Sequence, residues 1–257
     1  CVDSKDNVWF KTNNCLEVFY PDSGVIHSFR FYNDPYNQIS GTPVHQIFED
    51  KKGQIWLSSK DGLQLFIPET KEFKRFIHDP SDKNSISNSS VRTIFEDSRN
   101  ILWIGTEEGL NIYNPTVSAF LRIPLNGSAI GRYQKINIIS EDSGGRIWVG
   151  TDMGFFIMTP DGGIRGKYSD ITSYNRQIQI SSVYSIIEDH SDIIWMGTYE
   201  GLVKIDQKRK KFEILDNSED NFPQISSNNI FSVYEDDKGR LWLGTWGYGL
   251  NIIDFEN

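Results

Sequence analysis

The stretch DSRNILWIGTEEGLNIY at residues 97–113 is one of six related copies along the chain. The copies share a tryptophan, and consecutive tryptophans are 47, 47, 45, 47 and 47 residues apart. They are Trp9, Trp56, Trp103, Trp148, Trp195 and Trp242. A repeat of about 40–50 residues with several short strands is typical of a β-propeller, in which each repeat forms one blade.

Each repeat contains four segments in which apolar and polar residues alternate, the pattern of a strand with one buried face. In the fifth repeat we name them strands A to D from the innermost outward, at 183–188, 193–197, 201–205 and 211–215. The A–B turn lies at Asp189–Asp192, and its equivalents Asp50–Gly53, Asp142–Gly145 and Asp236–Gly239 read Asp-x-x-Gly, while the B–C turn carries Thr-x-x-Gly. Both sequences suit tight hairpins, and the glycine of the B–C turn fits a backbone position with positive φ.

The repeats predict an all-β fold, a β-propeller of four-stranded antiparallel blades that forms one region over residues 1–257. About six blades are expected, at 1–31, 44–77, 91–123, 136–170, 183–215 and 230–257. The first and last are partial and the other four complete, which predicts 22 strands and an excerpt of a longer propeller region. The connections from strand D to the next strand A are expected to be loops, at 32–43, 78–90, 124–135, 171–182 and 216–229.

The tryptophan of strand B is expected to anchor the packing of one blade against the next. A large ring buried between two sheets stabilises their interface more than a single aliphatic side chain does. A glycine follows two places later in four copies, at 105, 150, 197 and 244. We expect this small residue to leave room for a neighbouring backbone or ring.

Charge and hydropathy exclude several classes of partner. The net charge of −9 and the pI near 5.0 argue against nucleic acid, which needs clustered lysine and arginine. No apolar run approaches the ~18 residues of a membrane helix, so no membrane contact is expected within this segment. The turn aspartates are dispersed, one per blade, so neither a metal site nor a cofactor is predicted.

The string E-D-x-x-G-x-I-W-x-G-T-x-x-G-L-x-x-Y is almost complete at 96–113 and resembles the two-component regulator propeller repeat. The segments at 78–97 and 244–254 are similar to other parts of that repeat. The resemblance implies the periplasmic sensor region of a hybrid histidine kinase of the Bacteroidetes type, an inner-membrane protein. It also implies that the ligand is an oligosaccharide or another small solute, and that the kinase lies beyond residue 257.

A ligand is expected on the side of the blades where the B–C turns and the D–A connections emerge, because binding residues concentrate on loops held by a rigid scaffold. Sugars stack on aromatic rings, while carboxylate, amide and guanidinium groups bind their hydroxyls. The candidate residues there are Trp246, Tyr248, Tyr199, Glu200, Glu107, Glu108, Asp152, Arg132, Tyr133, Tyr174 and Arg176. Trp246 stands out because it is the seventh tryptophan and lies outside the repeated series.

Two other classes of function remain open at this point. The propeller could be a rigid scaffold for protein–protein contact or dimerisation, including a homodimer formed through the longer parent protein. It could also be a hydrolase or lyase that acts on glycosides. A sialidase-type site needs an arginine cluster, a tyrosine nucleophile and acidic partners on the inner strands, and strand A offers Arg92 as its one arginine. We therefore expect this segment not to be an enzyme.

Overall fold

The computed structural model describes residues 1–12, 15–30, 44–125, 134–159, 164–167, 170–173, 176–209, 211–218 and 225–255. For 164–179 only the backbone is described. Every regular element in this part of the chain is a β-strand. A search of the same residues for a helix long and apolar enough to cross a membrane finds none.

The chain divides into two compact units, and the first comprises Cys1–Asn126 with Gly131–Ile136. It holds three antiparallel sheets, which we number one to three. Sheet one contains β1 (Val8–Lys11), β2 (Cys15–Tyr20) and β3 (Val25–Arg30). Sheet two contains β4 (Val44–Glu49), β5 (Ile55–Ser59), β6 (Gly62–Ile67) and β7 (Glu72–Phe76). Sheet three contains β8 (Val91–Glu96), β9 (Leu102–Thr106), β10 (Gly109–Asn114) and β11 (Ala119–Ile123).

The second unit comprises Gly127–Ile130 with Asn137–Asn257. Sheet four contains β12 (Ile136–Glu141), β13 (Ile147–Thr151), β14 (Gly154–Met158) and β15 (Ile164–Lys167). A two-stranded hairpin follows, with β16 (Asp170–Ser173) and β17 (Arg176–Gln179). Sheet five contains β18 (Val183–Glu188), β19 (Ile193–Thr198), β20 (Leu202–Asp206) and β21 (Lys211–Leu215). Sheet six contains β22 (Ile230–Glu235), β23 (Leu241–Thr245) and β24 (Leu250–Ile253).

In each of the six sheets the strands pair in the order of the sequence, as up-and-down antiparallel meanders. The tryptophan-bearing strand is second in the four-stranded sheets, so strands A to D fall where the repeat placed them. Sheet one shows strands B to D and sheet six strands A to C. The predicted fold class is confirmed, because these sheets are the blades of a β-propeller.

The connection at 171–182 differs from the prediction. It was expected to be a loop, but the structure places β16 and β17 within 170–179, where they pair as an antiparallel hairpin. The described residues therefore contain 24 strands rather than 22. The sequence Ile171–Thr172 and Gln177–Ile178–Gln179 alternates apolar and polar residues around a short turn, which is itself a hairpin pattern.

Within each unit, the tryptophan of one sheet is buried against the next sheet. Trp9 lies with Val44 and Phe73 of sheet two, and Trp56 with Val91 of sheet three. In the second unit Trp148 lies with Val183 and Met196 of sheet five. Trp195 packs in the same way against Ile230, Val233 and Leu243 of sheet six. Trp103 is fully buried and Trp242 half-buried.

Gly150 shows why the second residue after the tryptophan is small. A Cβ placed there would lie 2.5 Å from Cγ2 of Ile138 and 2.9 Å from Cγ1 of Val183, the first residue of the next sheet. Gly201 is required for another reason, because its φ is +136° and a Cβ would meet the carbonyl oxygen of Leu215. Both observations confirm the roles that the sequence predicted for glycine.

Candidate functional site

The edge of each sheet that carries the A–B and C–D turns, which we call the turn edge, is occupied by internal hydrogen bonds. In the A–B turn of sheet three, Oδ1 of Asp97 accepts from the backbone N–H groups of Arg99 (3.0 Å) and Ile101 (2.9 Å). Its Oδ2 accepts from the indole Nε1–H of Trp103 at 3.0 Å. The same carboxylate-to-indole bond recurs in all six repeats at 2.7–3.0 Å. The aspartate therefore fixes both its turn and the tryptophan six residues later.

These hydrogen bonds shift the pKa of the turn aspartates. Burial acts to raise the pKa of the Asp97 carboxyl, but the bonds from Trp103, Ile101 and Arg99 outweigh it, and the pKa lies below its ordinary value of 3.8. In sheet six the Arg240 guanidinium, and next the Trp242 indole, hold the pKa of Asp236 well below its usual range. The native state therefore favours the ionised form of these carboxyls.

We expect the protein to lose stability as the pH falls below the ordinary aspartate value of 3.8. The unfolded chain binds protons on Asp97 and Asp236 at a higher pH than the native chain does. Their contribution is complete above that value and is lost as the pH falls through the lowered native pKa. Urea unfolding between about pH 3 and pH 7 measures this dependence. A free energy of unfolding that stays constant over this range would contradict the prediction.

A second set of carboxylates joins the turn edges of consecutive sheets. The glutamate at the end of one strand A accepts hydrogen bonds from the A–B turn of the preceding sheet, 45 residues earlier. Glu49 binds the N–H and hydroxyl of Ser4 at 2.7 and 2.6 Å, and Glu96 binds the N–H of Lys51 at 2.6 Å. In the second unit Glu188 and Glu235 bind Ser143 and His190 in the same way. The sequence shows that this glutamate precedes the turn aspartate, but it does not show that the glutamate bonds to the preceding sheet.

The opposite side of each sheet, which we call the loop edge, carries the B–C turns and the D–A connections. The B–C turn and the D–A connection are joined there by a backbone hydrogen bond. The residue after the B–C threonine donates its N–H to the carbonyl of the residue that precedes strand A. This bond joins Glu107 to Ser90 at 2.9 Å, Tyr199 to Ser182 at 3.1 Å and Trp246 to Asn229 at 3.0 Å. The loop edge is therefore held by rigid hairpins, as a binding surface requires.

The loop edge of the second unit exposes a group of aromatic side chains, which we call the aromatic patch: Tyr184, Tyr199, Phe231, Trp246 and Tyr248. Trp246 is 69% exposed, Tyr248 68% and Tyr199 57%. Phe231 lies face to face with Tyr184, with ring centroids 4.2 Å apart and an interplanar angle of 13°. On its other side it contacts Trp246 at 5.3 Å. The indole is thus supported by a stack from two sheets and still projects into solvent.

Tyr184 and Phe231 were not among the sequence candidates, and the reason is a β-bulge. The register between strands A and B shifts between Val183 and Ser185, and again between Ile230 and Ser232. An extra residue re-aims the side chain at that point, so strict alternation along strand A misplaces it. The available signal was an aromatic residue at the second position of two strands A, 47 residues apart.

The other candidates of the second unit have different surroundings. The Glu200 carboxylate accepts from the hydroxyl of Ser181 and, at 3.3 Å, from its N–H. It thus ties the D–A connection to the turn that carries Tyr199. The carbonyl of Asp152 accepts from the Ser182 hydroxyl at 3.4 Å, while the residue itself is exposed. These bonds join the loop edges of sheets four and five within the unit.

Four candidates have no described side chain. Arg132 and Tyr174, together with the neighbouring candidate Tyr133, lie outside the described residues. Arg176 is the first residue of β17, so its backbone belongs to a strand and not to the predicted loop. Its side chain is not described. The aromatic patch therefore rests on residues of sheets five and six alone.

Among its described residues, the loop edge of the first unit carries a cluster of charged side chains. Nη1 of Arg92 lies 2.9 Å from Oε1 of Glu107, and Nζ of Lys135 lies 3.7 Å from the same oxygen. Gln134 is only 4% exposed, and neither of its amide atoms has a hydrogen-bond partner among the described residues. Glu107, a sequence candidate, is therefore part of an ion cluster. The two loop edges differ in chemistry although their backbones repeat.

A cleft of about 870 Å³ opens on the turn edge between sheets five and six, lined by His190, Lys208, Asp237 and Phe255 among others. In sheets two, three and five, strand D occupies the corresponding position. Phe73, Phe120 and Phe212 of strand D pack against the tryptophan of the preceding sheet. In the described part of sheet six no strand D is present, and Phe255 stacks on Trp195 at 5.4 Å. The cleft is therefore explained by the repeat and needs no ligand.

The sheets and their turns define the class of protein, a β-propeller, and a comparison with protein families defines its repeats. The model of the two component regulator propeller matches residues 38–61, 85–108, 177–200 and 224–247. Each match runs from a D–A connection through strands A and B into the B–C turn. The chain thus carries repeats of the two component regulator propeller family, and the predicted resemblance is confirmed. No curated protein matches the chain.

Solved structures show the same fold at low identity. The extracellular domain of the hybrid two component system BT4673 from B. thetaiotaomicron is 19% identical, with a TM-score of 0.66 over 98% of this chain and 37% of that one. The extracellular domain of BT3049 from the same organism is 19% identical, with a TM-score of 0.54 over 99% and 39%. A streptogramin B lyase is 18% identical, with a TM-score of 0.66 over 98% and 78%. The chain spans less than two fifths of the two extracellular domains.

Proposed function

We propose that this chain is an extracytoplasmic ligand-binding segment of a two-component signalling protein, and that it detects an oligosaccharide. Two lines of support converge on this function. The repeats belong to the two component regulator propeller family, and two structures of the same fold are extracellular domains of hybrid two component systems. The proposed compartment is the periplasm, and the proposed output is a histidine kinase elsewhere in the parent protein.

The observation that carries the ligand class is the aromatic patch. An exposed tryptophan is unfavourable in water unless it serves a contact, and Trp246 is held in place by Phe231 and Tyr184. Rings that are ordered before binding lose little conformational entropy when a sugar stacks on them. The hydroxyl groups of Tyr199, Tyr248 and Ser226 lie on the same edge of the unit. This combination fits the apolar and hydroxyl faces of a saccharide.

Replacing Trp246 by alanine is expected to weaken saccharide binding at least about tenfold, since it removes the most exposed ring of the patch. The free energy of unfolding should change by no more than about 0.5 kcal/mol, as for other surface substitutions. Titration calorimetry of the 257-residue chain against a panel of oligosaccharides, with urea unfolding of both proteins, measures the two effects. If the unmodified chain and Trp246→Ala bind saccharides equally well, the aromatic patch is not the binding site.

A scaffold for protein contact is a second candidate function, and a specific surface favours it. On the face of sheet six that points away from sheet five, Tyr234, Leu250 and Ile252 are at least half exposed. Exposed apolar groups on one sheet face mark contact surfaces. If no saccharide stabilises the chain while a partner or second copy buries more than about 1,000 Å² against this face, the scaffold function is favoured.

We infer a binding rather than a catalytic role for this segment. The lyase of similar fold is an enzyme in its own right, at 18% identity to this chain. A shared propeller does not carry its chemistry over, because function depends on the residues of a site and not on the fold. The repeat family that matches the chain is a regulator propeller.

A further inference from the structure

We propose that the ligand of the aromatic patch is an electrically neutral saccharide, and that acidic saccharides such as uronates are rejected there. This inference rests on the proposed function and narrows its ligand class. It follows from the distribution of charge around Trp246 and from the kinds of polar group that the same edge provides.

Among the loop-edge residues of the second unit whose side chains are described, none is a cation; the candidate Arg176, in the connection before sheet five, is described by its backbone alone. No lysine, arginine or histidine occurs at 151–154, 180–184, 198–202, 216–218, 225–232 or 244–250. The charged residues at these positions are carboxylates: Asp152, Glu200 and Asp216. Proteins bind sugar carboxylates through arginine or lysine, which supply charge-assisted hydrogen bonds. A uronate on this edge would find carboxylates in place of such partners.

Glu200 makes this negative charge a fixed part of the edge. Its carboxylate accepts hydrogen bonds from both the hydroxyl and the N–H of Ser181, which hold it in place on this edge. It also lies next to Tyr199, a member of the patch. Like charges placed together at an interface disfavour a partner strongly, and this is a common route to specificity. The net charge of −9 adds a general repulsion of anions.

Uncharged hydrogen-bonding groups are plentiful on the same edge. Ser182 and Ser226 lie on the D–A connections, where Ser226 donates to the carbonyl of Tyr248 at 3.2 Å. Tyr199 and Tyr248, which carry phenol groups, are 57% and 68% exposed. Hydroxyl, phenol and amide groups can each donate or accept, as sugar hydroxyls can. The chemistry of the patch therefore matches a neutral sugar.

The first unit provides an internal contrast. Its loop edge carries Arg92 and Lys135 around Glu107, at 2.9 and 3.7 Å from one carboxylate oxygen. The repeat can therefore accommodate cations at loop-edge positions. The described residues near Trp246 are therefore uncharged or acidic because of their side-chain identities, since the same backbone accepts cations in the first unit.

The test compares size-matched neutral and acidic oligosaccharides on the 257-residue chain by titration calorimetry, at low and high salt. The neutral probes are cello-, malto- and galacto-oligosaccharides, and the acidic probes are oligogalacturonates. We expect a neutral probe to bind at least about tenfold more tightly than its acidic counterpart at low salt. Its binding should weaken at least about tenfold in Trp246→Ala and vary little with salt.

A variant that removes one negative charge shows whether acidic saccharides are rejected by electrostatic repulsion or because they do not fit the shape of the patch. Asp152→Asn removes an exposed carboxylate from the loop edge and should narrow the difference in affinity between neutral and acidic probes at low salt. Asp237→Asn makes the same charge change on the turn edge and should not alter the difference in affinity between neutral and acidic probes. Tight Trp246-dependent binding of an oligogalacturonate, in preference to every neutral probe, would overturn this inference and leave the proposed function standing. No binding by any probe would overturn both.

Discussion

Replacing Trp148 by alanine is expected to lower the free energy of unfolding by about 3–5 kcal/mol, the range measured for deleting large buried rings. The indole is 2% exposed and lies between sheets four and five. It stacks on Phe155 with ring centroids 5.6 Å apart and contacts residues of three strands of sheet five. The cavity left behind is lined by two rigid sheets, which cannot close around it.

The loss has a polar part as well. Nε1 of Trp148 donates to Oδ2 of Asp142 at 2.7 Å, so the alanine variant also removes a partner of that carboxylate. Trp148→Phe keeps one aromatic ring and loses this bond together with the volume of the second ring, and we expect about 1–3 kcal/mol for it. Urea unfolding followed by far-UV circular dichroism measures both variants, and Trp246→Ala is the matched control. A loss below about 1 kcal/mol for Trp148→Ala would contradict packing between the sheets.

The repeat explains why so much of the fold is visible in the sequence. Each copy must bury its tryptophan against the next sheet, so strand positions recur every 45–47 residues with the turn residues that join them. The strands predicted at 183–188 and 211–215 coincide with β18 and β21. The glycine roles at Gly150 and Gly201 follow from the same geometry, because the close approach of a neighbouring strand repeats as well.

The candidate site was less visible because it depends on departures from the repeat. A bulge within strand A turns Tyr184 and Phe231 away from the alternating pattern, and alternation was the basis of the strand assignment. Trp246 was recognised because it lies outside the repeated tryptophan series, and Tyr248 as an aromatic residue on the same side of the blades. Glu200 was predicted to bind ligand because of its charge, but its hydrogen bond with Ser181 is visible only in the structure. Side chains that meet across connections of variable length have no fixed spacing in the sequence.

The largest polar effect is expected from Asp97→Asn, which keeps the shape of the side chain and removes its charge. Asp97 is fully buried and receives hydrogen bonds from the N–H groups of Arg99 and Ile101 and from the indole of Trp103. An asparagine can still accept from the two backbone groups with its oxygen. Its amide nitrogen then faces the indole N–H, so one donor meets another in a site closed to water.

We expect Asp97→Asn to lower the free energy of unfolding by about 2–4 kcal/mol, because it weakens charge-assisted bonds and leaves the indole donor of Trp103 without a partner. Asp97→Ala should lose at least as much, since it releases the turn too. Asp237→Asn, an equal charge change on an exposed turn residue, is the control and should stay within about 0.5 kcal/mol. The loss in Asp97→Asn should also shrink as the pH falls below 3.8, because the unfolded chain with Asp97 then binds a proton on this carboxyl before the native chain does, and the asparagine variant has no such group. If the asparagine variant unfolds at the same urea concentration as the unmodified chain, the carboxylate does not fix the tryptophan, and packing alone holds the blade.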